Sequence, residues 1–283
     1  MKIVLSVTNF ASLTGSELYV YELARVLAKR NHKVTILATS IDGEIAAQSH
    51  ANGVKMYSFF NHPDIKPDIV HSSQFKPTAY SLRHFPNAKH FVTVHSPLSY
   101  EKPIYHDKVK TYICVRPEIV DKVQEDPRFL GKTRMIWNGV DFHRFNMLKT
   151  GDENPNSILF VGTMDHLRKN MVEFLMKYAQ EEKKELIIVS DAIKEFRLDE
   201  EKNIRYYPAR WDIEGLTKYA GVTTSIYIGR TTIEGWACGK PGWVFEVDEK
   251  GQSKKAELMA VPKNMLQFDI EYMTDRVLET YEQ

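Results

Sequence analysis

The sequence predicts an α/β protein made of two successive parallel-sheet domains. Three observations predict it. Short β-branched runs alternate with helical patterns from the first residue; the alternation stops at a polar, turn-rich stretch, LKTGDENPNS (Leu148–Ser157); and it then restarts. At 283 residues the chain is long enough for two domains of ordinary size, each with its own core. The expected division is residues 1–149 and 150–283, with a C-terminal helix that is a candidate to pack back on the first domain.

Ile3–Val7 reads as a buried strand. Glu17–Arg30 reads as a helix, because Val20, Leu23, Ala24 and Leu27 recur at i, i+3, i+4, i+7 while Glu22, Arg25 and Lys29 fall off that stripe. Asn31 follows the last turn and tolerates the left-handed cap conformation. Val34–Ala38 is the next strand, so the opening is a strand, a crossover helix and a parallel strand. Further strands are expected at Val54–Phe59, Asp68–His71, His90–Val94, Tyr112–Val115 and Met135–Trp137. After the linker come strand Ile158–Val161, helix Lys169–Gln180, and strands Leu186–Val189 and Ile204–Tyr207. Helix Ile213–Tyr219, strand Thr223–Ile228, helix Thr231–Cys238, strand Trp243–Val247 and helix Ile270–Tyr281 complete the order.

Composition excludes several classes. The chain is 43% hydrophobic and 27% charged, with 38 Lys plus Arg against 37 Asp plus Glu, so nothing in its charge favours specific nucleic-acid binding. Its two cysteines, Cys114 and Cys238, are far apart, which argues against a disulfide framework or a structural zinc site. The apolar start is too short for a signal peptide, and no run of about 18 apolar residues offers a membrane span. The expectation is a soluble, cytoplasmic protein.

In open parallel sheets, ligands bind outside the carboxyl ends of strands, so the loops there are read for chemistry. TNFASLTGSE ends in Gly15 and Ser16 at a helix start, where exposed N–H groups suit an anion; Thr14 or Ser16 capping the helix explains the same residues. The loop is not GxGxxG, so a dinucleotide fingerprint is absent. His95 follows VTV at a strand end and His71 follows Asp68-Ile-Val; each could serve a sugar hydroxyl or a leaving group, or could simply pack. FVGTMDHLRKN places Gly162 and Thr163 after a strand and Arg168 and Lys169 at a helix start, which fits a diphosphate or a solvated basic pair. In IYIGRTTIEGWACGKPG, Gly229, Arg230, Thr231 and Thr232 open a helix and offer amides, hydroxyls and a guanidinium to phosphate. Glu234 could grip a ribose diol or could complement the helix dipole. Gly239 and Pro241 end that helix.

In this order the segments resemble the GT-B-fold glycosyltransferases of family four, the retaining group 1 type. GSELYVYELARVLAKRNHKVTILAT is similar to that family's opening loop, helix and strand. DIVHS and VTVHS resemble its strand-end histidine segments, and WNGVDFHRF its Asn-Gly-Val-Asp segment, here Asn138–Asp141. LFVGTMDHLRKN resembles the start of its donor domain, and IEGWACGKP the helix bearing the second of its paired glutamates. The resemblance implies two Rossmann-like domains facing each other and metal-independent transfer of a sugar, with retention, from a nucleoside-diphosphate sugar to a glycan, lipid-linked or other acceptor. A UDP-sugar is the first candidate donor, no further cofactor is implied, and a peripheral membrane contact is compatible. It also implies roles: Gly15 facing donor phosphate and acceptor, His95 approaching the transferred sugar, Lys169 neutralising the diphosphate and Glu234 holding the ribose. The catalytic set is then His95, Lys169 and Arg230.

Two positions depart from the family pattern. The first glutamate would fall at Ile226, and the Arg that often follows the donor-domain glycine is Thr163, a charge Arg230 could restore. The alternative reading, a non-catalytic sugar-nucleotide-binding protein or partner subunit, draws on Ile226.

Overall fold

The computed structural model describes residues 1–96, 103–146, 153–191, 203–248 and 250–283. The chain divides into two compact units, one of residues 1–139 and 266–283 and one of residues 140–265. The predicted boundary between residues 149 and 150, and the first part of the predicted linker, lie outside the described residues.

The first unit runs β1 (Lys2–Ser6), β2 (Asn9–Phe10), α1 (Gly15–Lys29), β3 (Lys33–Ala38), β4 (Ser40–Ile41), α2 (Gly43–Ala51), β5 (Lys55–Ser58), β6 (Ile69–Ser73), α3 (Phe75–His84), β7 (Lys89–Val94), β8 (Val109–Cys114), α4 (Pro117–Gln124) and β9 (Thr133–Met135). Seven strands form one sheet in the order β5-β3-β1-β6-β7-β8-β9, parallel throughout. All residues of β6 are buried, as a central strand covered on both faces requires. Helix α1 ends as its sequence suggests: Asn31 takes φ 63°, its amide donates to the Ala28 carbonyl and the His32 amide to Leu27, which satisfies the last carbonyls.

The chain's last helix also belongs to this unit. It spans Ile270–Tyr281, capped by Asp269, whose carboxylate accepts from the Glu271 amide at 2.8 Å. Gly139 makes its docking possible, since a Cβ there would lie 2.7 Å from Ile270 Cα and 2.9 Å from Met273 Cβ. Arg30 fastens it through Glu271 at 2.7 Å and Asp275 at 2.5 Å, and Arg134 through Glu279 at 3.0 Å.

The second unit runs α5 (Phe142–Asn146), β10 (Asn154–Val161), α6 (His166–Glu181), β11 (Glu185–Val189), β12 (Ile204–Tyr207), α7 (Glu214–Tyr219), β13 (Ala220–Ile226), α8 (Arg230–Ala237), β14 (Gly242–Val247) and β15 (Ser253–Met259). The helix Ile270–Tyr281 is therefore α9. The sheet order is β12-β11-β10-β13-β14-β15, parallel except for the antiparallel β14–β15 pair at one edge. Ile158, Phe160, Leu175, Leu186, Ile188 and Phe245 anchor the core between this sheet and α6.

Three differences from the sequence reading have physical causes. Asn154–Ser157 is strand rather than linker: Asn154 Nδ2 donates to Glu185 Oε2 at 2.8 Å, and Gly221 lets the chain pass so near that a Cβ would meet the Pro155 carbonyl at 2.2 Å. β15 is nearly all exposed and so carries no apolar alternation. α2, α3 and α4 bury only two or three residues each, too few to register as apolar stripes.

Candidate functional site

In the first unit, the chain leaving β1, β6 and β7 meets at the carboxyl edge of the sheet, joined by side-chain bonds. Gln74, at φ 73°, follows β6 and accepts the Thr8 amide on Oε1 at 3.0 Å, tying the loop after β6 to the loop after β1. Gly15 and Ser16 are the first residues of α1, not the loop before it, and nothing lies within 4 Å of a Cβ built on Gly15. Thr14, the residue before α1, makes no side-chain cap bond. The Ser16 hydroxyl donates instead to Glu17 Oε2 at 2.9 Å, and Thr14 donates to the same oxygen. Glu17 is buried, and burial raises its carboxyl above the usual range, with the Ser16 and Ser12 hydroxyls opposing. Thr14-x-x-Glu17 has capping-box spacing, so this carboxylate was findable in the sequence.

His95 is the first residue after β7, partly exposed, with Nε2 3.3 Å from Ser73 Oγ at the end of β6. Its ring packs edge-on against Tyr19 of α1, centroids 5.0 Å apart. Burial of the surroundings, then the positive charge of Arg116, holds its pKa well below the ordinary histidine value, so the imidazole is neutral at neutral pH. His71 is not at a strand end. It is the third residue of β6, buried, with Nδ1 2.6 Å from Tyr281 Oη and Nε2 2.5 Å from Thr93 Oγ1. Burial, then His95, lowers its pKa to about 3.

In the second unit, the loops after β10 and β13 lie side by side, because the Thr231 hydroxyl donates to the Val161 carbonyl at 3.2 Å, next to Gly162. The two helix starts differ. α6 is capped by Asp165, whose Oδ1 accepts the Leu167 and Arg168 amides at 3.1 and 3.0 Å, and Arg168 also pairs with Asp165 through Nη1. Lys169 is exposed, with Nζ 3.8 Å from Glu173 Oε1. Thr163 is exposed between Gly162 and this start. α8 is preceded by Gly229, which has no side chain to cap it. Its approach is strained: Tyr227 holds φ 55°, rare for a bulky residue, with its hydroxyl donated to the Val247 carbonyl at 2.9 Å. Arg230 Nε donates to Glu234 Oε1 at 2.7 Å, with Glu234 buried and Arg230 partly buried. Glu234 is the fifth residue of α8, one full turn in. Thr232 departs from its expected phosphate-facing role: fully buried, its hydroxyl is 2.5 Å from Ser225 Oγ, fastening α8 to β13. Among the described residues no three His, Cys, Asp or Glu side chains gather as metal ligands, and no helix is long and apolar enough to cross a membrane.

A family model, Glycosyltransferase Family 4, matches residues 13–144, which carry the α1 start, His71 and His95. The fold is shared with solved glycosyltransferases. Anabaena HepE in complex with UDP-glucose is 13% identical, with TM-score 0.75 and coverage of 100% of this chain and 99% of that one. A Rickettsia africae glycosyltransferase is 16% identical, with TM-score 0.67 over 99% and 98%. WaaG, a glycosyltransferase of lipopolysaccharide biosynthesis, is 11% identical, with TM-score 0.61 over 99% and 90%. The chain is a glycosyltransferase of GT-B fold, and its residues 13–144 match the family 4 model. No curated protein sequence matches it.

In this glycosyltransferase the position of the family's first glutamate is the last residue of β13, where Ile226 packs against the core of the second unit. An apolar side chain there contributes packing and no hydrogen bond to a sugar. Residues that the sequence reading did not single out include Glu17, Ser73, Tyr19, Thr93, Asp165 and Tyr281. Asp165, just before a helix start, had a cap signal and Glu17 the capping-box spacing; the others are joined only by the fold.

Proposed function

We propose that this glycosyltransferase moves a sugar from a nucleoside-diphosphate donor, with retention and without a metal, to a glycan, lipid-linked or other acceptor. The observation that carries the reading is the start of α8: a helix N-terminus whose cap residue, Gly229, has no side chain, opened by Arg230 and linked through Thr231 to the Gly162 loop. Aligned amides and a guanidinium form a site for phosphate oxygens. Glu234, one turn further in, is the group for the ribose diol. As the bond from the anomeric carbon to the distal phosphate oxygen breaks, the electron pair passes to phosphate. Arg230, Lys169 and the α8 amides stabilise that charge, while the acceptor oxygen bonds to the anomeric carbon and passes its proton to the departing phosphate oxygen. Neutral His95 offers hydrogen bonds to the transferred sugar, and the open surface over Gly15 leaves room for phosphate or acceptor.

HepE, of the same fold, was solved with UDP-glucose, which makes a UDP-sugar the first donor to try. The free thiols Cys114 and Cys238 suit a cytoplasmic enzyme. Thermal shift against a panel of nucleoside diphosphates and their sugars should give a selective stabilisation, since a ligand that binds the native state raises its stability. Turnover of the selected donor in EDTA, with the anomeric configuration of the product read by NMR, tests the rest. Wild-type turnover by both Lys169→Ala and Glu234→Ala would overturn the site.

A further inference from the structure

A buried polar chain runs from the last residue of α9 to the edge of the proposed reaction centre, all within the first unit. Tyr281 Oη lies 2.6 Å from His71 Nδ1, His71 Nε2 lies 2.5 Å from Thr93 Oγ1, and Thr93 donates to Tyr19 Oη at 3.2 Å. Tyr19 then packs its ring against His95. Tyr281, His71, Thr93 and Tyr19 are all buried. With Thr93 donating to Tyr19, its one proton is committed, so its oxygen accepts from His71 Nε2–H. A neutral imidazole has one donor and one acceptor, which leaves His71 Nδ1 to accept from the Tyr281 hydroxyl. Each of the three bonds from Tyr281 to Tyr19 then has one donor and one acceptor, and the chain has a single direction. Packing alone does not need this. A phenylalanine at 281 would keep the contact with the Phe91 ring, 4.9 Å away, and the apolar side of α9.

We propose that Tyr281 is a positioning residue for His95: its hydroxyl fixes the His71 tautomer, which orders Thr93 and Tyr19 and thereby the ring of His95. The C-terminal helix thus tunes the reaction centre of a unit whose other parts come from the chain's first half. The inference rests on the reading of His95 as a group at the transferred sugar.

The test is the ring-nitrogen NMR signals of protein labelled with [15N]histidine, which need no donor. In Tyr281→Phe the His71 Nδ1 signal moves, and so do the His95 signals, although Tyr281 makes no bond to His95. Thr93→Val breaks the chain in the middle and moves the His95 signals too, whereas Thr93→Ser keeps the hydroxyl and returns them to the wild-type positions. With UDP-glucose as donor probe, Tyr281→Phe lowers kcat about 10-fold and leaves KM unchanged, as loss of orientation in the transition state requires. His95 signals unchanged in both Tyr281→Phe and Thr93→Val overturn the inference alone. Wild-type donor turnover by His95→Ala overturns the reading of His95, and the inference with it.

Discussion

Arg230 Nε stands 2.7 Å from Glu234 Oε1, one turn apart on α8, with side chains only 11% and 6% exposed. For helix stability alone the arrangement is poor. A cation at a helix start opposes the dipole, and Arg preceding Glu is the weaker order for such a pair. A local rule broken at an uncapped helix start is what an anion site would require.

Removing one partner of a buried pair leaves a charge without compensation. Glu234→Ala is expected to cost about 3 kcal/mol of stability, Glu234→Gln less, because the amide still accepts from Arg230. Both should abolish selective stabilisation by a sugar nucleotide. The decisive comparison is Glu234→Gln, read by urea unfolding and by ligand-induced thermal shift. A variant that folds well and binds the donor as tightly as wild type would remove the ribose role.

The histidines set an acid limit. His71 titrates at about 3 in the fold against an ordinary value near 6.5, so between those values the unfolded chain binds a proton that the native state refuses. Its contribution is complete above about pH 6.5 and is lost as pH falls toward 3, at about 1.4 kcal/mol per pH unit for each such histidine. His95 and His90 are shifted in the same direction. Unfolding midpoints should fall between pH 7 and pH 5, and His71→Gln should flatten that slope by roughly one proton. An unchanged slope in the variant would show that His71 is not the titrating group. By the same shift, the pH–rate profile should carry no inflection near 6.5 from His95.

The sheets were legible because buried central strands are short β-branched runs: Asp68–His71 and Leu186–Val189 read as strands in isolation, and the structure places strands at Ile69–Ser73 and Glu185–Val189. The starts of α1, α6 and α8 were legible as candidate anion sites through Gly15, Gly162 and Gly229. What pattern could not supply was which amides are already taken. Asp165 occupies those of α6, a fact of rotamer and geometry, whereas Gly229 has no side chain to occupy those of α8. Thr231 and Thr232 are neighbours in sequence, yet one bonds the Val161 carbonyl beside the Gly162 loop and the other fastens α8 to β13. The Tyr281–His71 contact joins residues 210 apart, beyond any local signal.

Gly235 is a steric requirement rather than a flexible point. A Cβ on it would lie 2.3 Å from Thr223 Oγ1 and 2.7 Å from Thr223 Cγ2, where α8 packs on β13. Gly235→Ala should therefore destabilise by about 1–3 kcal/mol despite alanine's better helix propensity. Gly235→Ala with Thr223→Ser, which removes the methyl, should recover part of the loss in a urea titration. Wild-type stability of the single variant would mean that α8 can move outward freely, and Arg230 with it.

The start of α6 is the sharper question, because Asp165 holds the amides of Leu167 and Arg168 and pairs with the Arg168 guanidinium. If a donor diphosphate uses this helix, it must displace that carboxylate. Asp165→Ala then weakens the unliganded protein by about 1 kcal/mol through loss of the cap, yet leaves amides and Arg168 open to phosphate. The expected result is a lower Tm without ligand and a larger nucleotide-induced rise than wild type shows. Lys169→Ala should do the reverse. Its ammonium is exposed and only 3.8 Å from Glu173, so stability should hardly change while donor affinity falls and loses part of its salt dependence. Asp165→Ala with the wild-type nucleotide shift, together with Lys169→Ala of wild-type affinity, would confine the diphosphate to α8 and leave the cations of α6 as surface charge.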